Sequence, residues 1–531
     1  MRDIWVCDCE TDPFKYGRIP KPFLWGVYNG SEYHQFDTTE KCADFIKGVD
    51  GIFYAHNGGR FDYHFLIPHA EPYDDLLIIH GRLARWRLGA AEMRDSFNII
   101  PVKLAAYQKE EIDYALLEES VRDRPANRAK IEAYLQSDCV NLWNMVTDFV
   151  QRYGMSLTQA SASMKRWRKM SSIKVPDSGA VFFDRFKPWY YGGRVQAFDY
   201  GYKREGFYVA DVVSAYPAAM LHDHPFGLSP DTAPRSKTRI RGRDLYIIHG
   251  VARGCFPYRD PDKLSLDFPD DGNARTFCVT GWELEAALET GGLRNGWEII
   301  ERIAFTETVN FSDYILTHHQ ERQAAKARGD KAGSLFAKLL MNSLYGKFGA
   351  DPRKYTNHFI TPADDAPVDD VMYPLAGYIG PWALIEDLEK PTNSRFYNVA
   401  TAASITGFQR AQLIRQIARS TGLIYCDTDC VAARDLGDLD MGNELGQWTL
   451  EADEDAGNDP LHTWRAIAGR KLYAWGNDRG MVKCASKGAK LYPQEIIEIA
   501  KGAVIEYKPQ VPTFSVLAPP KFVEREIRLT R

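Results

Sequence analysis

The sequence predicts an α+β protein of several domains, on three observations. The chain has 531 residues, too many for one ordinary core and enough for two to four domains. Residues 1–150 mix short apolar strands, starting with "DIWVCDCE", with helical periodicity that closes on "NRAKIEAYLQSDCVNLWNMVTDFVQRY". Beyond the paired glycines of "WYYGGRV" strands and helices begin again, so a domain boundary is expected between about 160 and 195.

Composition narrows the class. Hydrophobic residues at 45% and charged residues at 26% are those of a soluble globular protein. No apolar run nears the roughly eighteen residues that span a bilayer, and "MRDIWVCDCE" lacks a basic leader followed by an apolar stretch. A cytoplasmic chain without a membrane partner is therefore expected. Nine cysteines without a paired C-x-x-C arrangement speak against a structural zinc site or a disulfide framework, and for reduced thiols. The net charge of −5 argues against a uniformly cationic coat, but not against a local basic groove. Basic clusters stand at "KRWRK" (165–169), "RSKTRIRGR" (235–243) and "ERQAAKARGDK" (321–331), each by itself an ordinary solvated face.

Further along, "GFYVADVVSAYP" reads as a strand running into a turn that its proline stops. Helical stretches at 312–327 and 333–348, split by "RGDKAG", predict an antiparallel helical hairpin. Residues 349–397 carry Pro, Asp and Tyr without helical period and predict a β-rich insert. Helix resumes in "ATAASITGFQRAQLIRQIARS" and leads into a strand ending in "YCDTDC". No repeat or low-complexity tract is present.

Carboxylates supply the candidate chemistry. In "YCDTDC", Asp427 and Asp429 lie one residue apart between apolar flanks, where repulsion and burial both raise the cost of charge. A divalent cation would relieve it; an exposed aspartate turn explains the short motif equally well. Asp211, leaving an apolar strand in "ADVVSAYP", would join them as a direct ligand beside Asp429, with Asp427 supporting, while Tyr216 walls off a sugar. Read alone, Asp211 is a turn cap. On the helix "SLFAKLLMNSLYGKFG", Lys338, Asn342 and Tyr345 form one polar stripe opposite Phe336, Leu339, Leu340 and Leu344, as a nucleoside triphosphate would require. In "RKLYAW", Lys471 and Tyr473 alternate onto one strand face, suited to a nucleic-acid backbone or to an ordinary edge strand.

A second set stands earlier. Asp8 and Glu10 of "DCE" share a strand face, "HNGGRFD" offers Asn57, Phe61 and Asp62, and "YLQSD" puts Tyr134 and Asp138 on one helical face. Four acids and a tyrosine can assemble round two divalent ions, one activating water and the other stabilising a departing oxygen. Singly, each is structural: Asp8 a strand-end cap, Tyr134 a core aromatic, Asp138 a solvated helix charge.

In this order the motifs resemble those of a family B DNA polymerase, most closely the small phage type primed by a terminal protein. "DCE", "HNGGRFD" and "YLQSD" are similar to the three exonuclease motifs, and "DSFNII" and "KEEI" to two accessory motifs that hold single-stranded DNA. "YYGG", "DVVSAYP", "KLLMNSLYGKFG", "YCDTDC" and "KLY" resemble the linker, the three polymerase motifs and the K-x-Y motif. The resemblance implies a ribonuclease-H-like 3′–5′ exonuclease domain at 1–175, a linker at 176–194 and a right-hand polymerase domain at 195–531. Within the latter it implies palm at 195–222, 303–311 and 398–475, fingers at 312–348 and thumb at 476–531. Two inserts, 223–302 and 349–397, would grip terminal protein and encircle DNA, giving processivity and strand displacement.

Carried over by position, Asp8, Glu10, Asp62 and Asp138 would bind two magnesium or manganese ions, with Tyr134 assisting the water. Asn57, Phe61, Ser96, Phe97 and Lys109 would hold the 3′ end. Asp211 and Asp429, aided by Asp427, would bind two further ions, Tyr216 would exclude a 2′-hydroxyl, and Lys338, Asn342 and Tyr345 would meet the nucleotide. Tyr190, Gly192, Gly193, Lys471 and Tyr473 would contact DNA. Partners implied are primer-template DNA, deoxynucleoside triphosphates and a terminal protein, with the enzyme a monomer. The chain departs from the pattern at Cys430, where serine is usual, and at Ala215, where leucine is usual. The alternatives are a family B enzyme that uses only nucleic-acid primers, and a silent DNA-binding scaffold.

Overall fold

The computed structural model describes residues 2–104, 111–176, 178–260, 265–351, 353, 357–367, 370–389, 397–453 and 457–530. The amino-terminal domain is built on the strand Asp3–Thr11, parallel to Gly51–Ala55 and antiparallel to Pro22–Tyr28. Alternation sends Cys7 and Cys9 to one face, and Val6, Asp8 and Glu10 to the other. Both faces are covered. The first packs against Ile46, Tyr63, Leu83 and Trp86; the second packs against Leu135, Cys139 and Leu142 of the helix Pro125–Tyr153. That helix starts on a proline, whose missing N–H costs nothing there, and stops at Gly154 with φ 76°.

The sheet of this domain has ten strands, in the order Leu375–Ile379, Trp382–Asp387, Asn357–Pro362, Asp75–Ile79, Arg82–Leu88, Ala91–Asp95, Gly51–Ala55, Asp3–Thr11, Pro22–Tyr28 and Tyr33–Phe36. Its first three strands come from the 349–397 insert. That insert is β-rich as expected, but it extends the amino-terminal sheet instead of standing apart. Asn357, His358 and Phe359 pair with Leu77, Leu76 and Asp75, and the Trp382 indole donates to the Ile67 carbonyl at 2.8 Å. Ile360, Ile379 and Leu384 complete the same apolar cluster as Trp86. Val516, from the turn of a carboxy-terminal hairpin (Thr513–Ser515 with Ala518–Lys521), is buried in that cluster too.

A second, five-stranded sheet runs Trp448–Leu450, Tyr208–Val212, Cys430–Asp435, Thr421–Asp427 and Val195–Ala197. The buried helix Val399–Arg419 lies against it, with Leu413 in one cluster with Ala210, Val212, Cys426 and Val431. The 223–302 insert forms its own sheet, His224–Thr232, Glu298–Val309, Leu245–Gly250 and Arg275–Thr280. The expected helical hairpin is present as Ser312–Ala327 and Lys331–Phe348. Asp330 accepts from the Gly333 N–H at 2.7 Å and from Arg152 at 2.9 Å, capping the second helix and tying it to Pro125–Tyr153.

Two local expectations are corrected. Pro217 does not end the motif after Asp211: it lies within a short helix, Ala215–Ala219, whose first-turn N–H groups have no helical partner for a proline to deprive. Lys471 does not share a strand face with Tyr473. It sits in the turn before Leu472–Gly476 with φ 55°, while Tyr473 is only 8% exposed and stacks on Trp475 at 4.0 Å. Among the described residues no helix is long and apolar enough to cross a membrane.

Candidate active sites

Asp211 and Asp429 arrive on different strands and meet at one sheet edge. Asp211 is in register with Cys430, and the Val212 N–H donates to the Asp429 carbonyl at 2.8 Å. Between the two strands of the "YCDTDC" hairpin, Thr428 has φ 60° and the Asp429 N–H donates back to the Asp427 carbonyl at 2.6 Å. A β-branched residue in the left-handed region costs about 1–3 kcal/mol and survives only where its surroundings fix it. Here the Thr428 N–H donates to the Arg194 carbonyl at 2.7 Å and its hydroxyl donates to Asp427 at 3.1 Å. The strain holds Asp429 beside Asp211.

Burial, then the charges of Asp211 and Asp427, push the Asp429 carboxyl up to about 6. Asp211 is also raised, chiefly by burial, against the pull of Lys483. Asp427 is already compensated: Lys471 Nζ donates to its two oxygens at 2.8 and 2.7 Å. Among the described residues no cationic side chain bonds Asp211 or Asp429. An oxygen-only pair with raised carboxyls fits magnesium or manganese, which take one or two carboxylates and fill the rest of their shell with water and phosphate. Among the described residues no group of three or more His, Cys, Asp or Glu closes on one cation position.

Tyr216 and Tyr345 lie near enough for the Asp429 charge to act on both. Ser214, with φ 50°, turns the chain so that the Tyr216 ring stacks on Tyr345 at 4.3 Å. Lys338 is exposed on the same helix, its carbonyl accepting from the Asn342 amide at 2.9 Å. A Cβ on Gly193 would come within 2.5 Å of the Thr428 hydroxyl, so this glycine lets the linker lie against the Asp427–Asp429 turn. Buried Arg410 pairs with Glu283 at 2.7 Å and donates to the Tyr191 and Gly192 carbonyls at 2.7 and 3.0 Å, fixing the linker from behind. Tyr190 packs against Gly349 at the end of the Lys338 helix. Tyr473 packs beneath the hairpin against Tyr425, whose hydroxyl accepts from the Lys471 N–H at 2.8 Å. The sequence reading missed the Glu451–Lys483 ion pair whose charges act on Asp211; no spacing marks these residues.

In the amino-terminal domain Asp8, Glu10 and Asp138 all lie near Cys139. All three charges act on the buried Cys139 thiol, which burial foremost pushes far up. The Tyr134 hydroxyl, likewise raised by burial and then by Asp138 and Glu10, is hydrogen-bonded to Asp138. Asp62 differs. It is 2% exposed, its Oδ1 accepts from the Cys9 thiol of the opposite strand face at 3.2 Å, and burial pushes its carboxyl to about 6. The structure thus brings Asp8, Glu10, Tyr134 and Asp138 onto one face and holds Asp62 at the strand's end from the other.

The accessory groups form a connected wall. Asn57, with φ 65°, accepts from Arg82 at 2.8 Å; Arg82 also pairs with buried Asp95 at 2.7 Å and lies 4.6 Å over the Phe97 ring. Ser96 is fully buried and hydrogen-bonds His56 at 3.0 Å. Phe61 packs among Phe14, Phe65 and Phe514 at 5.5, 5.3 and 5.4 Å. Lys109 lies outside the described residues. Arg82 stands in no motif and was not foreseen; Asp95 was legible as the first letter of "DSFNII". A cavity of 1740 Å³ is lined by Arg82 and Phe97, by Tyr190 and Gly192, by Lys347 of the helical hairpin, and by His358 of the insert.

Comparisons with known proteins agree with this architecture. Residues 105–371 match the family described as DNA polymerase type B, organellar and viral. The DNA-directed DNA polymerase of Enterobacteria phage PRD1 is 35% identical, over 98% of this chain and 97% of that protein. A probable DNA polymerase of Agaricus bitorquis is 24% identical over 57% of this chain and 46% of its own length. Among solved structures, the Phi29 DNA polymerase complexed with primer-template DNA and incoming nucleotide superposes with a TM-score of 0.73 at 18% identity, covering 100% of both chains. The fold is therefore that of an exonuclease domain joined to a right-hand polymerase. The chain belongs to the type B DNA polymerases of organelles and viruses, on the branch of the protein-primed phage enzymes, and is a DNA-directed DNA polymerase.

Proposed function

We propose that this polymerase extends DNA at the Asp211–Asp429 centre, trims it 3′ to 5′ at the Asp8–Glu10–Asp138 centre, and starts replication on a terminal protein. The observation that carries the reading is the meeting of Asp211 and Asp429 through the Val212–Asp429 hydrogen bond. Asp211 and Asp429 would hold magnesium or manganese, as would Asp8, Glu10, Asp62 and Asp138, and the ions would supply Lewis-acid stabilisation of charge on attacking and leaving oxygens. The residues do the rest. Tyr216 and Tyr345 offer a flat wall for the sugar, Lys338 a charge for the triphosphate, and Lys471, once released from Asp427, a donor for the primer backbone. At the other centre Tyr134 orients the attacking water through its bond to Asp138, and the Arg82–Asn57–Phe97 wall seats the 3′ end.

The domain division at 1–175, 176–194 and 195–531 follows the same reading, with one refinement: the 349–397 insert works as part of the amino-terminal sheet. The cavity beside that sheet is lined by Arg60, Arg82, Arg85 and Arg94, which suit the backbone of a single template strand, and we infer strand displacement from the resemblance to the phage enzymes. Primer extension on a template carrying a downstream blocking strand, with and without nucleotides, reads synthesis, trimming and displacement together. Incubating the enzyme with terminal protein, one labelled nucleotide and magnesium tests priming; robust DNA-primer extension with no labelled protein would favour an enzyme that uses nucleic-acid primers alone.

A further inference from the structure

The basic stretch at 235–243 takes no part in either centre, yet it borders a built recess. A cavity of 640 Å³ opens to solvent where the 223–302 insert meets the palm and the root of the helical hairpin, and Arg239, Arg241 and Arg243 line one side of it. Their charge is not spent locally. Of the carboxylates close in sequence or in the cavity, Asp244 is held by Arg302 at 2.7 Å, and Asp223 accepts from the Asn310 amide at 3.2 Å. Among the described residues no ion pair involves any of the three arginines.

Aromatic rings line the recess next to them. Trp282 is fixed by its indole N–H, which donates to Ser404 at 3.0 Å, and by Gly242, where a Cβ would come within 2.1 Å of the ring. The Arg-Gly-Arg sequence is therefore pinned to the tryptophan by its glycine. His222 is exposed and supported by Phe408, tilted 30° to it at 4.3 Å, and by Trp282 at 5.7 Å, so a held imidazole faces the recess. Guanidinium groups without an ion-pair partner beside a supported ring are what a phosphate backbone with an unpaired base requires. An acidic polypeptide would use the charges but has no use for the ring.

We propose that this recess binds single-stranded DNA, as a site separate from the exonuclease cleft and from the nucleotide pocket. The arginines hold consecutive phosphates, and a base rests on His222 beside Trp282. The recess begins at Leu221, just beyond the short helix that carries Tyr216, so a strand held there stays close to the site of synthesis.

The test uses the full-length enzyme in EDTA, fluorescein-labelled oligothymidylate and a titration over salt. Replacing Arg239, Arg241 and Arg243 together by serine should lower the slope of log K against log salt by about 2, since each phosphate contact on a single strand contributes about 0.7. Replacement by lysine should keep the slope near that of the parent. His222→Ala should weaken binding several-fold with the slope unchanged, and all variants should extend a saturating primed template at the parental rate. An unchanged slope in the serine variant overturns the proposal. So does a raised KM for deoxynucleotides with the slope intact, which would make the recess a free-nucleotide site, and so does loss of binding to polyglutamate alone, which would make it a protein-docking face. Should the triple serine variant not fold, the single Arg241→Gln variant and His222→Ala decide in its place.

Discussion

Replacing Asp429 by asparagine removes one charge from a place that resists it. Burial and two neighbouring carboxylates raise this group from 3.8 to about 6. At about 1.36 kcal/mol per pH unit, the ionised form at neutral pH is about 3 kcal/mol less favourable in the folded chain than in the unfolded one. Partial exposure trims this to about 2 kcal/mol. The sign is that of a carboxyl raised on folding: stability is lost as pH climbs from about 4 through about 6, and the loss is complete above that. Metal-free Asp429→Asn should therefore melt higher than the parent at pH 8 and level with it at pH 4.5. With magnesium the order should reverse, because the parent gains a bound cation and the variant does not. Thermal unfolding in EDTA and in magnesium at the two pH values reads all four states, and primer extension should fall to background. If the variant melts lower than the parent in EDTA at pH 8, or still extends DNA, the reasoning about this pair is wrong.

Other outcomes follow from the same geometry. Asp8→Ala should abolish degradation of single-stranded DNA and leave extension intact, the converse of Asp429→Asn, measured by paired gel assays. Gly193→Ala puts a methyl group within 2.5 Å of Thr428; extension should drop tenfold or more while degradation of single strands persists. Arg410→Met strands the buried Glu283 charge and should cost about 3–5 kcal/mol in a denaturation titration. Adding Glu283→Leu should recover most of that loss.

Sequence made the carboxylates legible because metal chemistry constrains residue type more tightly than packing does. Asp211 and Asp429 are separated by an insert, a helical hairpin and a second insert, yet each stands at a strand end inside a short motif, and the fold needs only one sheet edge to unite them. The helical hairpin was legible for another reason: Phe336, Leu340 and Leu344 repeat with helical period, and all three are buried. What sequence could not give was partnership across domains. Nothing in "NHFITP" says that it pairs with "DDLLII" and extends the amino-terminal sheet, since β-pairing is set by register between distant strands and not by either strand alone. Buried charge was equally hidden. Arg82 and Arg410 read as surface cations until their carboxylate partners, Asp95 and Glu283, are in place, and both then prove to hold residues that the motifs did name. Lys471 shows the limit of local pattern: the motif identified the residue, whereas the left-handed turn that points it at Asp427 depends on Tyr425, 46 positions away.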